Sequence, residues 1–135
     1  MLKAYKFKLK PNKKFTAKCD DTLNICRELY NAALQERRDA YARSHTSINF
    51  HKQALQLPEI KKTREDVEAI HSQVLQDVLR RLSKAFDAFF RRVMNGEEPG
   101  YPRFKAKDRY HSFTYPQSGF KLTGDKLWLS KIGTR

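Results

Sequence analysis

The residues with the most evident chemistry in this chain are basic and aromatic, and they are interleaved. Residues 100–117 read GYPRFKAKDRYHSFTYPQ, which mixes Arg103, Lys105, Lys107 and Arg109 with Tyr101, Phe104, Tyr110, Phe113 and Tyr115. Cations neutralise phosphates and aromatic faces stack on unpaired bases, a combination suited to single strands and RNA. The alternative is a basic loop whose aromatics turn inward. A second cluster lies at the N-terminus, where residues 1–18 hold seven Lys and no acid. Lys6, Lys8 and Lys10 alternate there with Tyr5, Phe7 and Leu9. Lys on an edge strand guards against aggregation, but so many without a compensating acid favour a face that contacts phosphates. A third group, Gln73, Gln76, Arg80, Lys84, Asp87 and Arg91, falls on one narrow stripe at ~100° per residue. A stripe like this serves by default as a solvent face. It could also bind nucleic acid: Gln can bond an adenine edge bidentately, with Arg80 and Lys84 tracking phosphates beside it.

Other chemistries find less support. Glu65, Asp66 and Glu68, like Asp20 and Asp21, suit the positive end of a helix dipole. There is no phosphate-binding glycine loop and no Ser/His/Asp grouping, so no catalytic residue is expected. Cys19 and Cys26 are separated by about 10.5 Å along a helix axis, too far for a disulfide. Their spacing does not match a zinc site, and His45, His51, His71 and His111 are scattered. Neither a metal nor a cofactor is expected.

Whole-chain charge points the same way. The 135 residues carry 28 Lys plus Arg against 15 Asp plus Glu, a net charge of +13. A polyanionic partner follows, DNA or RNA. A membrane is disfavoured, because no stretch approaches the ~18 apolar residues of a span and the lysines sit on a strand-like segment. The N-terminus also lacks the apolar block of a signal peptide, so the expected location is the cytoplasm.

These groups need elements to position them. The strict alternation from Leu2 to Lys10 predicts a strand ended by Pro11 and Asn12. A helix is expected from Thr16 or Asp20 to Arg43, with Leu23, Cys26, Leu29, Tyr30, Ala33, Leu34, Ala40 and Tyr41 on its apolar stripe. Ser44 to Leu57 reads as a loop and one short helix stopped by Pro58. A single long helix is expected from Arg64 to Asn95, capped by Gly96. His71 lies on its apolar face and is expected to be a satisfied core histidine. Short strands are expected at Ser112–Tyr115, Phe120–Leu122 and Leu127–Leu129, with a hairpin turn at Thr123-Gly124-Asp125. The class is α+β, a helical block inserted into a small sheet.

As a set, LYNAALQERRDAYA (29–42), SQVLQDVLRRLSKAFDAFFRR (72–92), the basic-aromatic loop (100–117) and LWLSKIG (127–133) resemble the N-terminal part of TnpB proteins. These are the OrfB-type accessory transposases of small bacterial insertion sequences. The resemblance implies an RNA-guided DNA endonuclease that binds a guide RNA, reads a short motif beside its target and cleaves with a RuvC-like domain. It also implies a plan for the chain. Residues 1–12 and 98–135 would belong to a small, incomplete antiparallel β-barrel, the wedge domain, and residues 13–97 to a helical recognition lobe. Gln76, with Ser72 and Gln73, would face the target-adjacent DNA, with Phe50 and Thr114 on the same surface. Lys6, Lys8, Lys10, Arg103, Lys105, Lys107 and Arg109 would suit the backbone of guide RNA or heteroduplex. The family's RuvC-like carboxylates and four-cysteine zinc module are expected to lie outside this chain, leaving it to bind without cleaving. An incomplete barrel would expose a strand edge open to self-association. The resemblance places the protein in the bacterial cytoplasm, on the nucleoid when bound. The alternatives are a stand-alone basic RNA-binding module and an inert transposon remnant.

Overall fold

The computed structural model describes residues 2–135. It has five helices followed by three short strands: α1 (Lys13–Ser44), α2 (Phe50–Ala54), α3 (Leu57–Thr63), α4 (Glu65–Glu68), α5 (Ser72–Met94), β1 (Phe120–Thr123), β2 (Lys126–Leu129) and β3 (Gly133–Thr134). The class is α+β, with a small antiparallel sheet that does not close.

The helix α1 starts earlier than apolar periodicity suggests. The Asn12 side chain caps it by accepting from the Phe15 amide at 2.8 Å, which satisfies an orphan donor of the first turn. At the far end His45 takes a left-handed conformation, φ 52°, and its amide donates to Tyr41 while Thr46 donates to Ala40. That pair of bonds closes the last carbonyls of the helix. Cys26, Leu29, Tyr30, Ala33 and Leu34 are buried along its inner face against Val74, Leu75, Val78, Leu79 and Leu82 of α5. The two long helices run in the same direction: Cys26 lies near Asp77 and Arg81, and further along α1 Arg37 reaches Ser83 and Phe86. A parallel pair needs a return crossing, and α2, α3 and α4 provide it. Leu57, Val67 and Ile70 of that crossing are buried in the same core.

Two expectations for this region are corrected. Pro58 does not stop a helix; it sits in the first turn of α3, where its missing N–H has no partner to lose. The long helix also does not begin at Arg64. The chain breaks at residues 69–71, where His71 is extended (φ −56°, ψ 132°), and α5 begins at Ser72. Val67 before the break and Ile70 within it are both buried in the core.

Residues 2–10 are not a strand. Leu2, Tyr5, Phe7 and Leu9 are exposed, and no backbone ladder includes them. Alternation creates two faces, but a strand also needs a partner edge, and no other segment pairs with this one. Ser112–Tyr115 likewise forms no strand, because the Ser112 carbonyl accepts from the Arg81 guanidinium instead. The sheet therefore comes from the C-terminal segment alone, in the order β1-β2-β3. Its hairpin is as expected, with Thr123 opposite Lys126 across Gly124-Asp125. Gly124 has φ +60°, suited to the first position of a type II′ turn.

One glycine joins the sheet to the helices. Gly119 has φ +85°, and a Cβ there would lie 2.7 Å from the His71 ring. That ring stacks on Tyr115 at 5.2 Å. His71 is not the satisfied core histidine expected, since its buried Nε2 has no hydrogen-bond partner among the described residues. Gly119→Ala should combine a left-handed backbone with a rigid aromatic clash and cost about 1–3 kcal/mol. Urea unfolding of the variant, followed by tyrosine and tryptophan fluorescence, checks this; an unchanged midpoint would refute it.

Candidate nucleic-acid interface

The basic loop is fixed to α1 through its backbone. The Asn31 side chain accepts from the Lys105 amide at 2.7 Å and donates to the Lys105 carbonyl at 2.9 Å. Arg27 also reaches that carbonyl, at 3.5 Å. The Lys105 ammonium lies over the Tyr30 ring at 5.6 Å, and the Arg38 guanidinium lies over both Tyr101 and Phe104. Arg103, Lys107 and Arg109 remain exposed. The aromatics divide. Tyr110 is buried in the core, and Phe113 and Tyr115 are half-buried against it, while Tyr101 and Phe104 stay exposed. The inward reading thus holds for the second half of the loop, and a stacking surface remains on the first.

Arg81 holds that second half to α5. It donates to Asp77 at 3.0 Å, to the Ser112 carbonyl at 2.7 Å and to the Thr114 hydroxyl at 2.9 Å, and it lies over the Tyr110 ring. Thr114 is therefore occupied as an acceptor. The rest of the α5 stripe has mixed roles. Gln73 accepts from the Ser118 amide at 2.9 Å, and the Ser72 hydroxyl accepts from Lys61 at 2.6 Å. Arg80 is exposed and lies 4.5 Å above the Phe50 ring. Gln76 makes no hydrogen bond among the described residues, and Lys84 and Arg91 are exposed. The fold gathers Phe50, Gln73, Gln76, Arg80 and Thr114 around the exposed side of α5. Lys6, Lys8 and Lys10 are exposed on the unpaired N-terminal segment and form no ion pair among the described residues.

Reading the sequence overlooked three residues that position this surface, Asn31, Arg27 and Arg37, and saw Arg81 only as a flank of the α5 stripe. For Arg81 a signal was present, an Asp77 one turn earlier at salt-bridge spacing. Arg37 also left one, being polar at the position where the stripe through Ala33 and Leu34 calls for an apolar residue. It is buried, donating to Gln53 at 2.8 Å and Ser83 at 2.7 Å, and burial pulls its pKa below the usual arginine value.

Comparisons with known proteins find similarity over nearly the whole chain. Residues 1–46 match a helix-turn-helix domain model of OrfB type. A protein of Escherichia coli (strain K12) named as RNA-guided DNA endonuclease InsQ is 31% identical across 98% of this chain and 32% of its own length. A Streptomyces pristinaespiralis protein named as an RNA-guided DNA endonuclease is 30% identical across 96% of this chain and 32% of its own length. The chain is related to the TnpB-like, OrfB-type proteins. It spans about a third of the length of these TnpB-like relatives. The residues matched by the OrfB model hold the unpaired N-terminal segment and the single helix α1. No helix among the described residues is long and apolar enough to cross a membrane.

The loop docking carries a pH signature. Burial pushes the Cys26 thiol from its ordinary 9.0 up to about 12, and the Tyr110 and Tyr115 hydroxyls from 10.0 up to about 12. Their folded values exceed the unfolded ones, so the unfolded chain releases protons first as pH rises. The contribution of these three groups to stability should be level below about pH 9 and fall progressively toward about pH 12. Urea midpoints measured across that range check the slope; a level profile would show that these groups ionise as freely when folded.

Proposed function

We propose that this chain binds nucleic acid as the recognition and wedge part of an RNA-guided DNA endonuclease, contacting guide RNA and target-adjacent duplex, with no cleavage chemistry of its own. The observation that carries the reading is on α5. Gln76 keeps its amide free between the Arg80–Phe50 pair and the Gln73–Ser118 bond, so a carboxamide able to read a base edge stands beside an exposed cation. Arg103, Lys107 and Arg109, on a loop held by Asn31, supply phosphate contacts on a backbone that is already ordered. The exposed Lys6, Lys8 and Lys10 add sequence-independent attraction. The relatives' names support the assignment of DNA and RNA as partners. The protein would act in the bacterial cytoplasm, on the nucleoid when bound. The unpaired outer edges of β1 and β3 offer a route to self-association.

The test begins with RNA. The chain is expressed beside its native locus and purified through a high-salt wash, and the bound RNA is sequenced. One dominant RNA from the end of an insertion element is expected; a smear of abundant cellular RNA would contradict guide handling. Gln76→Ala should then weaken preference for a target-adjacent motif by about 1–3 kcal/mol and leave non-specific binding intact. Replacing both Lys6 and Lys8 with Ala should weaken all nucleic-acid binding and reduce the salt slope by about 2. A silent Gln76→Ala on a preferred motif would remove α5 from the reading surface.

A further inference from the structure

A separate cleft of about 520 Å³ opens between the C-terminal half of α1, the turn at residues 46–49, the second half of α5 and Tyr101. It lies within the range of small-molecule sites, about 300–1,000 Å³. Its walls are aromatic: Tyr101 meets Phe86 edge-on at 5.6 Å and Phe89 at 5.2 Å. Arg37 also lines it, and this residue needs an explanation. Its side chain is only 8% exposed, yet no carboxylate lies within ion-pair distance of it among the described residues. Nε and Nη2 are used by Gln53 and Ser83, and Nη1 has no protein acceptor among the described residues. Nη1 is not among the buried unpartnered atoms, so it is open to solvent, where a ligand acceptor can take the place of water. Asp87 and Asn49, also on the lining, provide an acceptor and a neutral amide.

We propose that this cleft is a binding site for an unpaired guanine base of bound nucleic acid. Arg37 Nη1 would donate to guanine O6 or N7, the pairing that arginine makes most often with a base. The Asp87 carboxylate would accept from guanine N1–H and the exocyclic amine, which adenine cannot offer in that arrangement. Tyr101 and Phe89 supply the apolar surface for the base. A second copy of the chain, docking on the apolar end of α5 at Phe90, Val93 and Met94, would leave the Arg37 donor without an acceptor. The site draws only its ligand class from the proposed function, and none of its residues belongs to the α5 stripe that would read duplex DNA except Asp87, which faces the cleft.

The test uses mononucleotides, so it does not depend on guide RNA or target DNA. The 135-residue chain, labelled with 15N, is titrated with GMP, AMP, CMP and UMP at constant ionic strength. GMP is expected to shift the Tyr101 and Asn49 amides saturably at millimolar concentration, with AMP at least roughly tenfold weaker. Asp87 makes no hydrogen bond among the described residues, but its charge offsets the burial of Arg37. Asp87→Asn should therefore lower the melting temperature modestly, keep the dispersed amide spectrum of the folded chain and bring GMP and AMP within roughly threefold of each other. Tyr101→Ala should weaken both by roughly tenfold. The proposal is overturned if no mononucleotide moves the cleft resonances, or if Asp87→Asn leaves the preference for GMP intact. It is also overturned if the same resonances respond only to protein concentration while sedimentation shows a dimer. GMP binding that survives alongside loss of specific RNA capture would sink the proposed function and leave this site standing.

Discussion

The Arg81 guanidinium is the interaction on which the second half of the molecule depends. The region after α5 contains little regular structure until β1, and its backbone groups cannot satisfy one another through a ladder. Arg81 supplies the missing donors, two to Ser112 and one to Thr114, while Asp77 on the same helix face compensates its charge. The planar group also covers the Tyr110 ring. Once residues 110–114 are held there, Tyr115 can stack on His71 and donate to the Ser130 carbonyl at 2.6 Å. The sheet is thus attached to the helices through a short series of contacts that begins at one side chain. Lysine could not replace it, because a point charge lacks the fork of donors in a plane.

The core contains a second cation under a different constraint. Arg37 reaches as deep as its apolar neighbours and joins α1 to α2 and α5 through Gln53 and Ser83, with its guanidinium over Phe86. Gln53 completes the arrangement by donating to the Ala33 carbonyl and to Glu36. Nearby Asp87 and Glu36 favour the charged form against the effect of burial. The two arginines therefore divide the work. Arg81 closes a structural junction with its own counter-ion, whereas Arg37 leaves a donor facing a cleft.

Among the parts legible in the sequence, the two long amphipathic helices stand first, because a 3.6-residue period over many turns permits few other solutions. The hairpin at Gly124 was legible for a local reason as well, since a left-handed turn position selects glycine. The split between α4 and α5 was not, because Val67 and Ile70 satisfy an apolar pattern whether or not the helix is continuous. Pro58 could be read as a stop or a start, and only the burial of Leu57 settles which. Among the site candidates, the basic loop and the stripe on α5 could be named in advance, but the state of each side chain could not. Gln73 and Thr114 are engaged within the fold, and Gln76 is free, although nothing in their types distinguishes these roles.

Composition and periodicity determined by themselves that the chain is basic, helical through its middle and equipped with cations and aromatics suited to nucleic acid. Those properties depend on residue types and on spacings within one element, so they survive without knowledge of what packs where. The tertiary structure decided that residues 2–10 remain unpaired, that Tyr110, Phe113 and Tyr115 of the loop turn inward, that Arg37 is buried and that Arg81 binds the second half of the loop. Each of these depends on a partner distant in sequence: an edge to pair with, a ring to cover, a carbonyl in need of a donor. Hydrogen bonds and burial are properties of pairs, and a single sequence states only one member of each pair at a time.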